Sequence, residues 1–169
     1  MIKKIFIING PATSGKDTFV SMVSAIVPSM NYSSVELVKE AALLLGWTGG
    51  KEDKDRKFLS DLKELTSNYS TAIRDSMRKK ADDFYSNDIH NFLFFHIREP
   101  KEIKRMAWEF NAKTILVLRD GILPNQSNFA DANVLNYDYD IIINNNGTLG
   151  DLKEKARRFA DEYFTGAAE

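Results

Sequence analysis

The sequence predicts an α/β protein, a three-layer sandwich with helices on both faces of a parallel sheet. Two observations carry this. Short β-branched and aromatic runs alternate with amphipathic stretches, and the first such run passes straight into a glycine loop that opens a helix. The length of 169 residues, 43% of them hydrophobic and 28% charged, suits one core, so residues 1–169 read as a single domain. Neither an internal repeat nor a low-complexity tract interrupts it.

Residues 4–9 form an apolar run bounded by Gly10-Pro11, the pattern of a strand buried on both faces. From Lys16 the spacing turns helical, with Phe19, Met22, Val23 and Ile26 on one face, and stops near Pro28. Residues 30–33 read as a second strand. Val35, Leu37, Val38, Ala41, Ala42, Leu44 and Leu45 mark a helix that Gly46 ends. Residues 49–57 read as a polar connection. Phe58, Leu59, Leu62 and Leu65 begin a further helix, and another spans about 71–85.

Residues 91–97 are the most apolar run and predict a central strand. Pro100 then starts a helix through Phe110, with Ile103, Met106, Ala107 and Phe110 facing inward. Residues 114–118 and 140–144 predict two more strands. A turn at 147–150 leads into a closing amphipathic helix, 152–164. Strand–helix alternation implies parallel pairing through right-handed crossovers.

Several function classes fall away on composition. The formal net charge is −1, which does not suggest a general nucleic-acid binder or a protein held on anionic membranes. No stretch approaches transmembrane length. Lys3-Lys4 before Ile5-Phe6-Ile7-Ile8 has the look of a secretion signal, but the apolar run stops at Asn9-Gly10-Pro11, and a buried strand explains it better. Cysteine is absent, which fits a cytoplasmic protein and removes thiolate metal sites. Two histidines without cysteine make a zinc site improbable. Oligomeric state is not legible.

The chemistry-bearing motif is Gly10-Pro11-Ala12-Thr13-Ser14-Gly15-Lys16, a G-x-x-x-x-G-K run between a strand and a helix. Glycines allow close approaches that a Cβ forbids, and successive N–H groups then cradle a phosphate at the positive end of a helix. Lys16 adds a charge that follows the β- and γ-phosphates. After the lysine stands Asp17 where Ser or Thr is usual, then Thr18. Asp17 reads equally as a hard-oxygen ligand for Mg²⁺ and as an acidic residue favoured in a helix's first turn. Thr18 reads as an α-phosphate contact or a helix-backbone contact.

Ser14-Gly15-Lys16-Asp17-Thr18 resembles the phage-type deoxynucleoside monophosphate kinases of the P-loop group, and the Ser-Gly-Lys-Asp portion resembles animal-type phosphomevalonate kinases. Val38-Lys39-Glu40-Ala41, Arg56-Lys57-Phe58-Leu59, Ile97-Arg98, residues 115–119 and the run from Tyr139 to Leu149 continue the similarity in order. The resemblance implies a P-loop α/β/α sandwich with five strands ordered 2-3-1-4-5. It also implies transfer of the γ-phosphoryl group of Mg²⁺-ATP to a small acceptor, often a nucleotide. The chain departs from the family at two places. His96 stands where the family has the acid of Asp-Thr-Arg, with Glu99, Asp120 or Asp17 as possible replacements. The expected lid, residues 122–138, contains no Arg or Lys.

Arg98 and Arg119 follow parallel strands at the carboxyl edge, where ligands of open α/β sheets gather, and are the candidate catalytic cations beside Lys16. Arg56, Lys57, Arg74 and Arg78, in a helical region of about 53–87, are candidates for an acceptor's phosphate, with solvated helix surface as the commoner alternative. His96 reads as a base or as a structurally satisfied histidine. Phe84, Tyr85 and Trp108 read as base-stacking or core residues. The run Asn144-Asn145-Asn146 lacks an Asn-Lys-x-Asp guanine reader. Two rivals stand beside a nucleotide kinase: a kinase of another phosphorylated metabolite, and a nucleotide-binding module with little turnover.

Overall fold

A computed structural model describes residues 2–122 and 133–166. The elements run β1 (Lys4–Asn9), α1 (Lys16–Ser24), β2 (Ser29–Ser33), α2 (Glu36–Leu44), α3 (Asp53–Tyr69), α4 (Ala72–Ser86), β3 (Phe92–His96), α5 (Pro100–Phe110), β4 (Lys113–Leu118), β5 (Ile141–Asn144) and α6 (Leu149–Ala160). A short π-helical turn, Asp161–Thr165, follows α6. The strands form one parallel sheet in the order β2-β3-β1-β4-β5. This is the predicted strand order, with β1 at the centre.

Alternate residues of the inner strands enter two separate apolar clusters, as a sheet covered on both faces requires. Ile5, Ile7, Leu93, Phe95 and Leu116 pack with Met77, Ala81 and Phe84 of α4 and with Ile103 and Met106 of α5. Phe6, Ile8, Phe92, Phe94, Ile115 and Val117 pack on the other face with Phe19, Val20 and Val23 of α1 and Leu152, Ala156 and Phe159 of α6. Phe159 lies 4.9 Å from Phe6 and 4.8 Å from Tyr163, ring centre to ring centre. These aromatic pairs anchor α6 over the strand that feeds the Gly10–Lys16 loop.

The helix boundaries correct several expectations. In α1 the helix ends at Ser24, so Val27 takes the inward position and Ile26 is exposed. The buried stripe of α2 is Val38 and Ala42, one helical turn apart, which leaves Leu44 and Leu45 beyond it in solvent. The connection expected at 49–57 is partly helix, because α3 starts at Asp53, where the Asp55 carboxylate accepts the Glu52 N–H at 3.1 Å. Leu65 is exposed, and α3 has no fully buried residue over 17 positions. Thr148 starts α6 through a reciprocal capping box with Asp151, three residues earlier than the apolar spacing suggests. Among the described residues, no helix is long and apolar enough to cross a membrane.

Candidate functional site

The loop between β1 and α1 is built from backbone that only certain residues accept. Gly10 and Gly15 have positive φ, as does Thr13 at 66°. A Cβ on Gly10 would lie 2.5 Å from the Val117 carbonyl oxygen, and one on Gly15 would lie 2.2 Å from Asn145 Nδ2. Both glycines are therefore required by space as well as by φ. The Ser14 N–H donates to Pro11 O at 3.2 Å, and the N–H of Phe19 to Gly15 O at 2.9 Å, so the loop tightens directly into α1. Ser14 is fully buried, and its Oγ has no hydrogen-bond partner.

Two buried amides hold this loop from below. Asn9 Oδ1 accepts the Gly10 N–H at 2.8 Å. Asn145 Nδ2 donates to Ser14 O at 2.9 Å, while Asn145 N donates to Leu118 O at 2.7 Å. Asn146 Oδ1 accepts the Asp120 N–H at 2.8 Å, and Lys155 donates to Asn144 O. The asparagine run thus ties the ends of β4 and β5 to the loop. The sequence showed the asparagine run but not its hold on the loop, and Asn9 did not stand out; a polar residue ending an otherwise apolar strand was the available signal there.

The loop separates two cavities. One, of about 370 Å³, is lined by Pro11, Thr13, Gly15, Asp17, Thr18, Arg119, Asn145 and Gly147 among others. The second, of about 790 Å³, opens over the ends of β2 and β3 toward α2 and α3. Its walls bring together Lys39, Lys51, Arg56, Lys63 and Arg98 with Tyr32 and Trp47. Lys16 and Asp17 border both cavities.

Charge is closely arranged at this junction. Lys16 Nζ lies 2.6 Å from Asp17 Oδ1, and His96 Nδ1 lies 3.7 Å from the same oxygen. Burial pushes the Asp17 pKa up, but Lys16, His96 and Arg98 outweigh it, and the net shift is downward. His96 is pushed down to about 4, first by burial and then by the Lys16 charge, so its imidazole is neutral near pH 7. Its Nε2 faces Asn31 Oδ1 at 3.4 Å.

A half-buried ion cluster closes the far wall of the larger cavity. Lys63 of α3 donates to Glu99 at 3.0 Å and to Glu102 at 2.8 Å, with the Ser34 hydroxyl at 3.4 Å. Burial lowers the Lys63 pKa, the two carboxylates raise it further, and the net direction is up. Burial also holds the Glu102 carboxyl above its usual range. Sequence reasoning passed over Lys63, because its partners lie 36 and 39 residues away.

The candidate residues separate by position. Lys16, Asp17, Arg56 and Arg98 converge on the larger cavity, whereas Arg119 lines the smaller one with Thr18. Lys57 pairs with Asp61 at 2.7 Å on the surface of α3. Arg78 pairs with Glu109 of α5 and with Asp75. Lys57, Arg74 and Arg78 line neither cavity. Phe84 is core, and Trp108 is exposed on α5 rather than packed. Trp47 is the tryptophan that reaches the larger cavity. Of the expected lid, residues 123–132 lie outside the described residues.

The donor set suits a magnesium nucleotide. The loop is a cradle that a Cβ at Gly10 or Gly15 would fill, and Asp17 and Thr18 stand beside it. Among the described residues no group of three or more His, Cys, Asp or Glu converges on one point. A hard cation here would take most of its oxygens from phosphate and water, as Mg²⁺ commonly does.

No protein-family model matches the chain, and no curated protein does. Solved structures do. A dephospho-CoA kinase from Campylobacter jejuni is 16% identical with a TM-score of 0.59, over 99% of this chain and 100% of that one. A sugar kinase from Janibacter sp. HTCC2649 is 13% identical, TM-score 0.52, over 99% of each chain. The tunicamycin resistance protein of Deinococcus radiodurans is 14% identical, TM-score 0.52, over 93% of this chain and 95% of that one. At these identities the likeness is one of fold: the chain has the fold of P-loop kinases.

Proposed function

We propose that this chain is an ATP-dependent phosphotransferase that moves the γ-phosphoryl group of Mg²⁺-ATP to a small phosphorylated acceptor. A nucleoside or deoxynucleoside monophosphate is the acceptor we favour, in keeping with the resemblance to phage-type deoxynucleoside monophosphate kinases. The observation that carries the reading is the placement of Lys16 and Asp17, which border a smaller cavity on one side and a larger cationic cleft on the other. Transfer between two bound substrates needs that arrangement, a phosphate cradle with a site opening on each side.

The smaller cavity takes the donor. Loop N–H groups and Lys16 hold its phosphates, and Arg119, which lines the same cavity, adds positive charge beside them. Asp17 would hold magnesium, directly or through water, and Thr18 would contact an α-phosphate; the bound ion would offset phosphate charge during transfer. Lys39, Arg56 and Arg98 draw the acceptor's phosphate into the larger cleft, and Tyr32 and Trp47 offer flat surfaces to a ring. An acceptor phosphate oxygen then bonds to the γ-phosphorus as its bond to the ADP oxygen breaks. Arg98 stabilises the charge on the moving group. In this reading the chain is one domain, with the helical region of about 53–87 serving the acceptor and residues 122–138 covering the donor.

A second reading, a nucleotide-binding module with little turnover, is favoured by His96, neutral where a carboxylate would polarise metal-bound water. Measuring Mg²⁺-dependent ADP release with a panel of nucleoside monophosphates and other phosphorylated metabolites separates the two. Stimulation by one acceptor supports the kinase and names its substrate. ATP binding with no stimulation by any acceptor supports the module.

A further inference from the structure

Asn9 is the last residue of β1 and is fully buried. Its side chain reaches beyond its own loop. While Oδ1 accepts from Gly10 N, Nδ2 donates to Arg98 O at 3.2 Å and to the Tyr139 hydroxyl oxygen at 2.8 Å. The Tyr139 hydroxyl donates in turn to Val134 O at 2.8 Å. These roles are fixed by the backbone partners, since an N–H must meet the amide oxygen and a carbonyl must meet the amide nitrogen. A primary amide is the side chain that serves both at once.

The location explains why such a brace is useful. Pairing between β1 and β3 ends at Ile8 and His96. Past that point the phosphate loop and the Arg98 turn leave the sheet, and the Asn9 side chain links them where the ladder stops. Lys16 is carried on one of these segments and Arg98 on the other.

We propose that Asn9 is a positioning residue for phosphoryl transfer, setting the separation between the phosphate loop and Arg98. The inference rests on the kinase reading above. A displacement of about 1 Å between such groups is enough to cost roughly 100-fold in rate.

A double-mutant cycle tests this, comparing Asn9→Asp in the native chain and in Arg98→Ala, with ATP affinity measured for each. Asn9→Asp keeps the shape and removes both donors. The expected result is a kcat about tenfold or more lower, ATP affinity within about threefold, and little further loss once Arg98 is gone. Equal losses in both backgrounds, or a loss confined to ATP affinity, would overturn the proposal. Should Asn9→Asp fail to fold, Tyr139→Phe, which removes one acceptor of the same amide, is read in the same cycle with the same criteria. Absence of turnover in the native chain would sink the kinase reading instead. Hydrogen exchange then decides the brace: Gly10 and the Arg98–Glu99 amides must loosen together in the variant, and loosening of one alone overturns it.

Discussion

The smaller cavity is walled by residues of the glycine loop, the start of α1, the segments after β4 and β5 and the first turn of α6. The larger cleft is walled by side chains of β2, α2, α3 and the turn after β3, and α3 lacks a fully buried residue. Rigidity at the first comes from positive-φ glycines and buried amides. At the second it comes from an ion cluster, Lys63 with Glu99 and Glu102. A phosphate is the same in every nucleotide, so a fixed backbone nest suits it. In the proposed reading the acceptor meets side chains on a more loosely packed helix, which suits a site that adjusts as it fills.

Removing the ion cluster breaks the second region alone. Lys63→Ala leaves two carboxylates beside each other in a partly buried place, and the expected loss of stability is about 1–3 kcal/mol in urea unfolding. ATP affinity of the folded fraction should be unchanged. If stability holds, the cluster does not anchor α3.

Lys16→Ala acts at the junction and should show the reverse pattern. Turnover is expected to fall about 100- to 1,000-fold, equivalent to roughly 3–4 kcal/mol, with weakened ATP binding and an unchanged melting curve. Titration calorimetry that finds native ATP affinity would remove the loop from the site.

A smaller effect sharpens the electrostatics between the two regions. The His96 pKa is depressed from 6.5 to about 4 on folding, so the unfolded chain binds the proton more readily. The stability tied to neutral His96 is present above pH 6.5 and is lost as pH falls toward 4, by at most about 3 kcal/mol. Thermal melts without nucleotide should show this fall, and His96→Gln should flatten it. A native profile no steeper than the variant's contradicts the half-buried, neutral imidazole.

The same contrast governs what the sequence disclosed. The strands were legible to within about a residue because short continuous apolar runs, rich in β-branched and aromatic residues and bounded by polar or turn residues, are local signals. The strand–glycine loop–helix unit was legible because its glycines, its strand and its helix are contiguous. The larger cleft was legible only in part. Arg56 and Arg98 reach it, but Lys57 and Arg78 find acidic partners of their own on the surface. Tyr32, Trp47 and Lys63 come together only when β2, α2 and α3 are assembled. Spacing along α3 and α4 records which residues share a helix face; it does not record which face meets the sheet edge.

The central claim is that the two cavities are halves of one transfer site meeting at Lys16. Binding of a compound in which two nucleosides are joined through a chain of phosphates tests it most directly. The account predicts that this compound binds at least about 100-fold more tightly than ATP, excludes ATP and acceptor alike, and loses its advantage in Lys16→Ala. Binding no tighter than ATP, with acceptor kinetics untouched, would contradict it.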